Sequence, residues 1–397
     1  MNIHRIKYKD IEQTPKLKVK KNFKQQFQGS APAPFIGRFG YPHVNIGFLS
    51  PQFSGDTSSY DSPKLWSSGN FKMNQIANMR YGLVNSRQKW KVKDLHSGGN
   101  MLNIIQEVGM AKRPAELDVT LKKAPSLNLK GESEVTPWGP ASGVQRARIT
   151  SNTKVDHKVE KVVFDTDLKA AGGMLKLYKK GFEEGVLSKL ISVGNLGIKK
   201  NRKLVPTRWS ITAADSTICK QLTKEVKDYP VGDFQLHFGG NWGNYYLLLY
   251  YPEVWGYELF ETYLKNPVNP WSKQGYAYST DHESYGGRKT YPEETAGGYF
   301  AAQLPVLEKM KKDKRQYRCI ALRFITDEYK VPLGVWVCRE SARKSANTKP
   351  LRFASEKLML DYAKEFVKNK FGFNLNVLLD ESKLLKENKT QLKLTNF

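Results

Sequence analysis

The chain has 397 residues, 40% of them hydrophobic and 12% aromatic, which is enough to core two or three domains and too much for a mainly disordered protein. Lysine and arginine number 64 against 38 aspartates and glutamates, and the resulting formal charge of +26 concentrates polyanions, nucleic acid first among them. Three scattered cysteines, Cys219, Cys319 and Cys338, exclude a secreted disulfide scaffold; with no apolar run of membrane length and no signal-like N-terminus, the expectation is a soluble intracellular protein with no membrane partner.

Residues 1–28 are basic, with Lys16, Lys18, Lys20, Lys21 and Lys24 close together, and read as a flexible arm that either binds a DNA backbone or is simply solvated. Prolines and glycines punctuate 31–51, which predicts short strands and turns anchored by Phe35, Ile36, Val44, Ile46, Phe48 and Leu49. Residues 52–72 read as loop. Helices are predicted from about Asn74, over 101–111, and over 167–193 with an interruption at Gly172 and Gly173; the Pro/Gly/Ser-rich stretch 122–153 reads as a long connection. A strand over 205–211 is predicted to run into a helix over 213–226, followed by strands at 234–238 and 245–251, the second buried on both faces. Residues 255–264 fit either period. Helical spacing over 297–312 contains Pro305, which is expected to kink or break it, and 317–325 and 331–337 read as strands. Leu358, Tyr362 and Phe366 beside Met359, Ala363 and Val367 form two i,i+4 rows of a core-facing helix. From Asp380 the chain turns polar and lysine-rich, as a tether does. The fold class expected is α+β: a mixed-sheet core with packed helices, a basic arm in front and a tail behind.

Three polar–glycine clusters carry candidate chemistry. In the first, Arg38 stands between glycines that let a backbone approach a phosphate; the same pattern fits a tight turn whose arginine meets a carboxylate. In the second, Arg208, Trp209, Ser210, Thr212 and Asp215 crowd a predicted helix start, where free N–H groups attract anions; Thr212 as a plain cap and a structural Arg208 fit too. In the third, Asp281, His282 and Glu283 precede a Gly-rich loop with Arg288 and Lys289. Three consecutive residues on a strand cannot all face one ion, so phosphate contacts by Arg288 and Lys289 fit better than a metal site there, and an ordinary surface loop with charge pairs remains an alternative. Trp209 beside Arg208 suits stacking on an unpaired base or a place in a core. The common catalytic signatures are missing: no Walker loop, GxSxG, HExxH, paired CxxC or Rossmann fingerprint occurs.

The last residues place Gln391, Leu394 and Phe397 at spacing three and three. In one turn of 3₁₀ helix Leu394 and Phe397 form a single apolar plug and Gln391 meets the pocket rim, the shape of a peptide that docks on a DNA sliding clamp. Such peptides usually end in two aromatics and this chain has one, so a chance match on a polar tail is the alternative reading.

At these clusters the sequence resembles the archaeal Nre family of DNA repair proteins, through FIGRFGYPHVNIGFLSP (35–51), LVPTRWSITAADS (204–216), YGGRKTYPEETAGGYFAAQLPVLE (285–308), YKVPLGVWVCRES (329–341) and the terminal QLKLTNF. The resemblance implies an archaeal cytoplasmic protein of DNA damage repair, with an arm over 1–28, a family N-terminal module over 29–280, a C-terminal module over 281–379 and a tail over 380–397. It also implies that Gln391, Leu394 and Phe397 are a motif for the clamp, PCNA. Many members open with a four-cysteine zinc finger; residues 1–30 here hold no cysteine, so zinc is not carried over. The leading expectation is a DNA-binding repair factor, tethered to the clamp, whose Arg38, Arg208, Trp209, Ser210, Thr212, Arg288 and Lys289 share one basic cleft. The rival is a Mg- or Mn-dependent nuclease or transferase acting on a nucleic-acid or nucleotide phosphate, with Asp215, His282 and Glu283 as ligands or general base. The sequence leaves open the reaction, the lesion, DNA against RNA, the oligomeric state and the strand order.

Overall fold

The structure, a computed structural model, describes residues 3–5, 22–95, 97–126, 134–264 and 275–390, of 388–390 the backbone only. It is α+β, with two mixed sheets in two compact units. The N-terminal unit takes the described residues within Thr14–Ile218 together with Val331–Gly334, and the C-terminal unit takes the rest. The clamp-like peptide at 391–397 and most of the expected arm, 6–21, lie outside the described residues.

β1 (Ile3–Arg5) belongs to the C-terminal sheet. The N-terminal unit then runs β2 (Gln26–Ala31), β3 (Ala33–Ile36), β4 (His43–Ser50), α1 (Pro63–Ser68), α2 (Met73–Tyr81), β5 (Val84–Lys91), α3 (Asn100–Met110), β6 (Ala115–Leu121), β7 (Ala141–Ile149), α4 (His157–Phe164), α5 (Ala170–Lys179) and α6 (Glu184–Ser192). Its six strands lie in the order β2-β6-β7-β5-β4-β3, all antiparallel except β7 with β5. The two end strands are joined through Pro32 alone, so the sheet has to curl back on itself. Val44, Ile46 and Phe48 of β4 point into the core that this curl encloses, with Leu117, Val119 and Leu121 of β6 and Ile104, Ile105 and Val108 of α3.

α7 (Thr207–Val226) begins in this unit and its last turns belong to the other. The C-terminal unit continues with β8 (Phe234–Asn241), β9 (Asn244–Tyr251), β10 (Gly256–Tyr263), β11 (Tyr276–Glu283), α8 (Gly298–Asp313), β12 (Arg318–Ile325), α9 (Trp336–Ala346), β13 (Leu351–Phe353), α10 (Glu356–Phe371), α11 (Asn376–Glu381) and α12 (Lys383–Thr390). Seven strands lie in the order β1-β11-β10-β12-β9-β8-β13. One face carries Leu247, Leu249, Phe260, Ile320, Leu322 and Phe324 against Met359, Ala363 and Val367 of α10, the leucines of α11 and Leu385 of α12. The other face is polar inside. Arg323 donates to Glu261 and to Asn244, all three buried, and a Cβ on Gly298 would stand 2.3 Å from a Glu261 carboxylate oxygen. Burial pushes the Glu261 carboxyl up, and the Arg323 guanidinium draws it back.

Several local expectations are corrected. Residues 52–72 are not all loop: Pro63 occupies the first turn of α1, and its buried Trp66 donates Nε1–H to the Ser59 carbonyl at 2.6 Å. The stretch 122–153 contains β7. The predicted strand at 205–211 is instead the start of α7, because Pro206 ends the extended chain and Thr207 Oγ1 accepts the Ile36 N–H at 2.9 Å. At 331–337, Pro332 and Gly334 (φ +95°) interrupt any strand and α9 begins at Trp336. α8 runs through Pro305, which costs one backbone bond in a helix whose surrounding residues are buried. Residues 380–390, expected as tether, form the end of α11 and then α12. Glu258 holds the start of α12 by accepting from Ser382 Oγ, Lys383 N (2.9 Å) and Leu384 N (3.3 Å), and Leu384 and Leu385 are buried.

His237 on β8 is buried and its Nδ1 lies 3.0 Å from the Thr348 carbonyl oxygen. Burial first, then the Lys309 ammonium, push its pKa from 6.5 down to about 4, against that hydrogen bond. Between these values the unfolded chain takes up a proton that the folded chain refuses. Stability from this group is therefore complete above pH 6.5 and is lost as pH falls toward 4. Chemical denaturation at pH 7 and pH 4.5 is expected to show a loss of about 2–3 kcal/mol that His237→Gln lacks.

Candidate nucleic-acid interface

The first cluster is the turn between β3 and β4. Gly37 N–H donates to the Asn45 carbonyl and His43 N–H to the Gly40 carbonyl, both at 2.8 Å. Gly40 takes φ +84°, and a Cβ there would stand 2.7 Å from the His43 carbonyl oxygen, so glycine is what lets this turn close. The turn pushes two side chains outward and leaves a third, Arg38, partly buried. Phe39 is 68% exposed and Tyr41 48%, and the Arg38 guanidinium lies over the Phe39 ring at 4.7 Å.

The second cluster meets the first. Trp209, in the first turn of α7, is 46% exposed, and its ring centroid lies 5.4 Å from that of Tyr41. The neighbours of Trp209 face inward. Arg208 Nε and Nη2 donate to the two oxygens of Glu134 at 2.6 and 3.0 Å, a bidentate pair with both side chains nearly buried. Ser210 Oγ is fully buried, donating to the Thr207 carbonyl at 2.9 Å and lying 2.9 Å from Ser188 Oγ. Thr212 is half-buried within the helix rather than its cap, and Asp215 is buried. So Tyr41 and Trp209 come together at the surface, with Arg38 partly buried on the same turn as Tyr41, whereas Arg208 and Ser210 form the frame beneath.

Sequence reading passed over a row next to this edge. On β5 Arg87, Lys89 and Lys91 are exposed, with exposed Gln88 and half-buried Trp90 between them, and stand opposite Gly47, Asn45 and His43 of β4. Among the described residues no carboxylate pairs with any of the three. The signal was present as a period-two repeat of cations over 87–91.

The third cluster lies in the C-terminal unit. Asp281 and Glu283 point inward from β11 and His282 to the opposite face. Asp281 accepts from the backbone of Glu293, Glu294 and Thr295 at 3.3, 2.9 and 2.7 Å, from Thr295 Oγ1 at 3.0 Å, and from Arg288 Nη2 at 3.0 Å. Arg288 also donates to the His282 carbonyl at 2.7 Å, so this carboxylate and guanidinium together fasten the loop over 286–297. Lys289 is exposed on that loop. Glu283 accepts from Trp255 Nε1 at 3.2 Å and Gln303 Nε2 at 2.9 Å, and burial pushes its carboxyl up while it lowers the His282 imidazole. Among the described residues no group of three His, Cys, Asp or Glu side chains is disposed to hold a metal ion, and no helix is long and apolar enough to cross a membrane.

Comparison with known proteins matches two family models, "Archaeal Nre, N-terminal" over residues 8–272 and "Archaeal Nre, C-terminal" over residues 283–397. A Haloferax volcanii protein named DNA repair protein NreA is 35% identical over 325 residues, 80% of this chain and 77% of its own. From Archaeoglobus fulgidus, DNA repair protein NreB is 31% identical over 375 residues (94% and 92%), and DNA repair protein NreA is 33% identical over 342 residues (86% and 85%). No solved structure matches.

The Arg208–Glu134 pair is expected to be structural. Arg208→Ala leaves a buried carboxylate without its counter-charge and should lower the unfolding free energy by about 3–5 kcal/mol in urea titration. Arg208→Lys should recover little of it, since an ammonium lacks the fork.

Proposed function

The chain belongs to the archaeal Nre family, and on that footing we propose that it acts in DNA repair, binding nucleic acid through its cationic surface and docking on the sliding clamp through Gln391, Leu394 and Phe397. The names of its relatives support the repair role. The observation that carries nucleic-acid binding is the group of exposed rings, Phe39, Tyr41 and Trp209, with the Arg38 guanidinium over Phe39, on a chain of charge +26. Exposed large rings grouped beside a cation suit a polyanion carrying flat bases. In this reading Arg38 and Lys289 meet phosphates and Trp209 meets a base. Arg208, Ser210 and Thr212 hold the first turns of α7 in place, and Arg288 shapes the loop that carries Lys289. The terminal peptide supplies a second attachment, which raises the local concentration of the protein on clamp-loaded DNA without any new contact to the DNA itself. Such a factor works in the cytoplasm.

Two measurements test the two attachments separately. In anisotropy titrations with DNA from low to high salt, log affinity is expected to fall linearly with log salt, with a slope of about −0.9 for each duplex phosphate neutralised. A flat response would overturn nucleic-acid binding by backbone electrostatics. Removing residues 391–397, or making Leu394→Ala with Phe397→Ala, should abolish binding to the immobilised clamp and leave the thermal midpoint unchanged. Undiminished clamp binding would overturn the docking role.

A further inference from the structure

We infer that the outer face of β4 and β5, together with the Phe39–Tyr41–Trp209 edge, is a track for single-stranded DNA, with Arg87, Lys89 and Lys91 following the backbone and the rings receiving the bases. This deepens, and rests on, the reading that the chain binds nucleic acid.

The track is continuous. His43 stands opposite Lys91, Asn45 opposite Lys89 and Gly47 opposite Arg87, and residues paired across antiparallel strands share a face. Val44, Ile46 and Phe48 fill the core on the inner side, so the cations stand on the outer one. The Lys91 end is tied to the aromatic turn, because Val92 N–H donates to the Pro42 carbonyl at 2.9 Å. Tyr41 precedes that proline and contacts Trp209. A row of cations therefore leads directly to a group of exposed rings.

The chemistry selects the occupant. Alternate residues of a strand recur about every 6.8 Å, a repeat that an extended nucleotide chain can follow with one phosphate per cation. The bases of a duplex stack on one another and offer no free face, whereas an unpaired base can lie on Trp209 or Tyr41. Charge complementarity thus favours nucleic acid, and the half-exposed rings favour a single strand. DNA rather than RNA follows from the repair reading.

The experiment uses the full-length chain and three fluorescent probes at one salt concentration: oligo-deoxythymidine, a blunt duplex of equal length, and oligouridine. Oligo-deoxythymidine should bind the tightest. Trp209→Ala should weaken it by about 5- to 150-fold and leave duplex affinity within about twofold. Trp209→Phe, which keeps a ring, should retain most of the affinity and so separates stacking from misfolding. Lys89→Gln with Lys91→Gln should reduce the salt slope for the single strand by about 1.4. If Trp209→Ala and the lysine pair leave single-strand binding unchanged while the chain still binds DNA, the track is refuted and the nucleic-acid reading stands. If the unmodified chain binds none of the probes at low salt, both are refuted. Tighter binding of oligouridine than of oligo-deoxythymidine would overturn DNA as the occupant.

Discussion

A chain with so large a cationic excess can fold only if the charges it takes inside are matched there, because an unpaired ion in a protein interior costs several kcal/mol. Several arginines that go inside meet this condition; buried Arg318 instead donates to the Leu384 carbonyl at 3.4 Å. Arg80, fully buried in the N-terminal unit, donates to Asp61 at 2.8 Å and to the carbonyls of Tyr60 and Pro137. Arg208 forks onto Glu134, Arg323 meets Glu261, and Arg288 meets Asp281. These pairs neutralise charge inside, and the exposed lysines and arginines act through their field on solvent and ligands.

This division explains why three arginines in similar sequence settings do different work. Each stands among hydroxyls and aromatics, and Arg38 and Arg288 among glycines as well. Arg208 and Arg288 are spent on geometry: one fixes the entry into α7 and the other closes a loop over β11. Arg38 sits on a tight turn with its guanidinium over an exposed ring. Trp209 shows the same split within two residues, since its neighbour points in and it points out. Motif density in a sequence marks where the backbone is tightly arranged, and the arrangement can serve a ligand or the fold.

Much of the fold could be read in advance. The apolar runs that built β8, β9 and β12 and the i,i+4 rows of α10 were plain, because β9 and β12 are buried on both faces and α10 on one. The failures have a common cause. At 205–211 and 331–337 a short apolar run fitted either period, and the outcome was set by Pro206, Pro332 and Gly334, with the Ile36–Thr207 hydrogen bond added at the first. β7 was hidden by the Pro/Gly-rich chain before it, and α12 by the lysines around its two buried leucines. For the interface, the turn at Arg38–Tyr41 and the ring of Trp209 were legible as candidates. That Arg208 would be taken by Glu134 was not, because the partners are 74 positions apart and nothing local joins them.

The edges of the C-terminal sheet bear on how this unit can meet other molecules. Its outermost strands, β1 and β13, have three residues each. In the other unit the terminal strand β3 carries Pro34, which has no N–H to offer. Such borders are poor templates for an incoming strand. These three borders are thereby shielded from edge-to-edge pairing, and a partner that docks on them has little backbone ladder to extend, so recognition there falls to side chains.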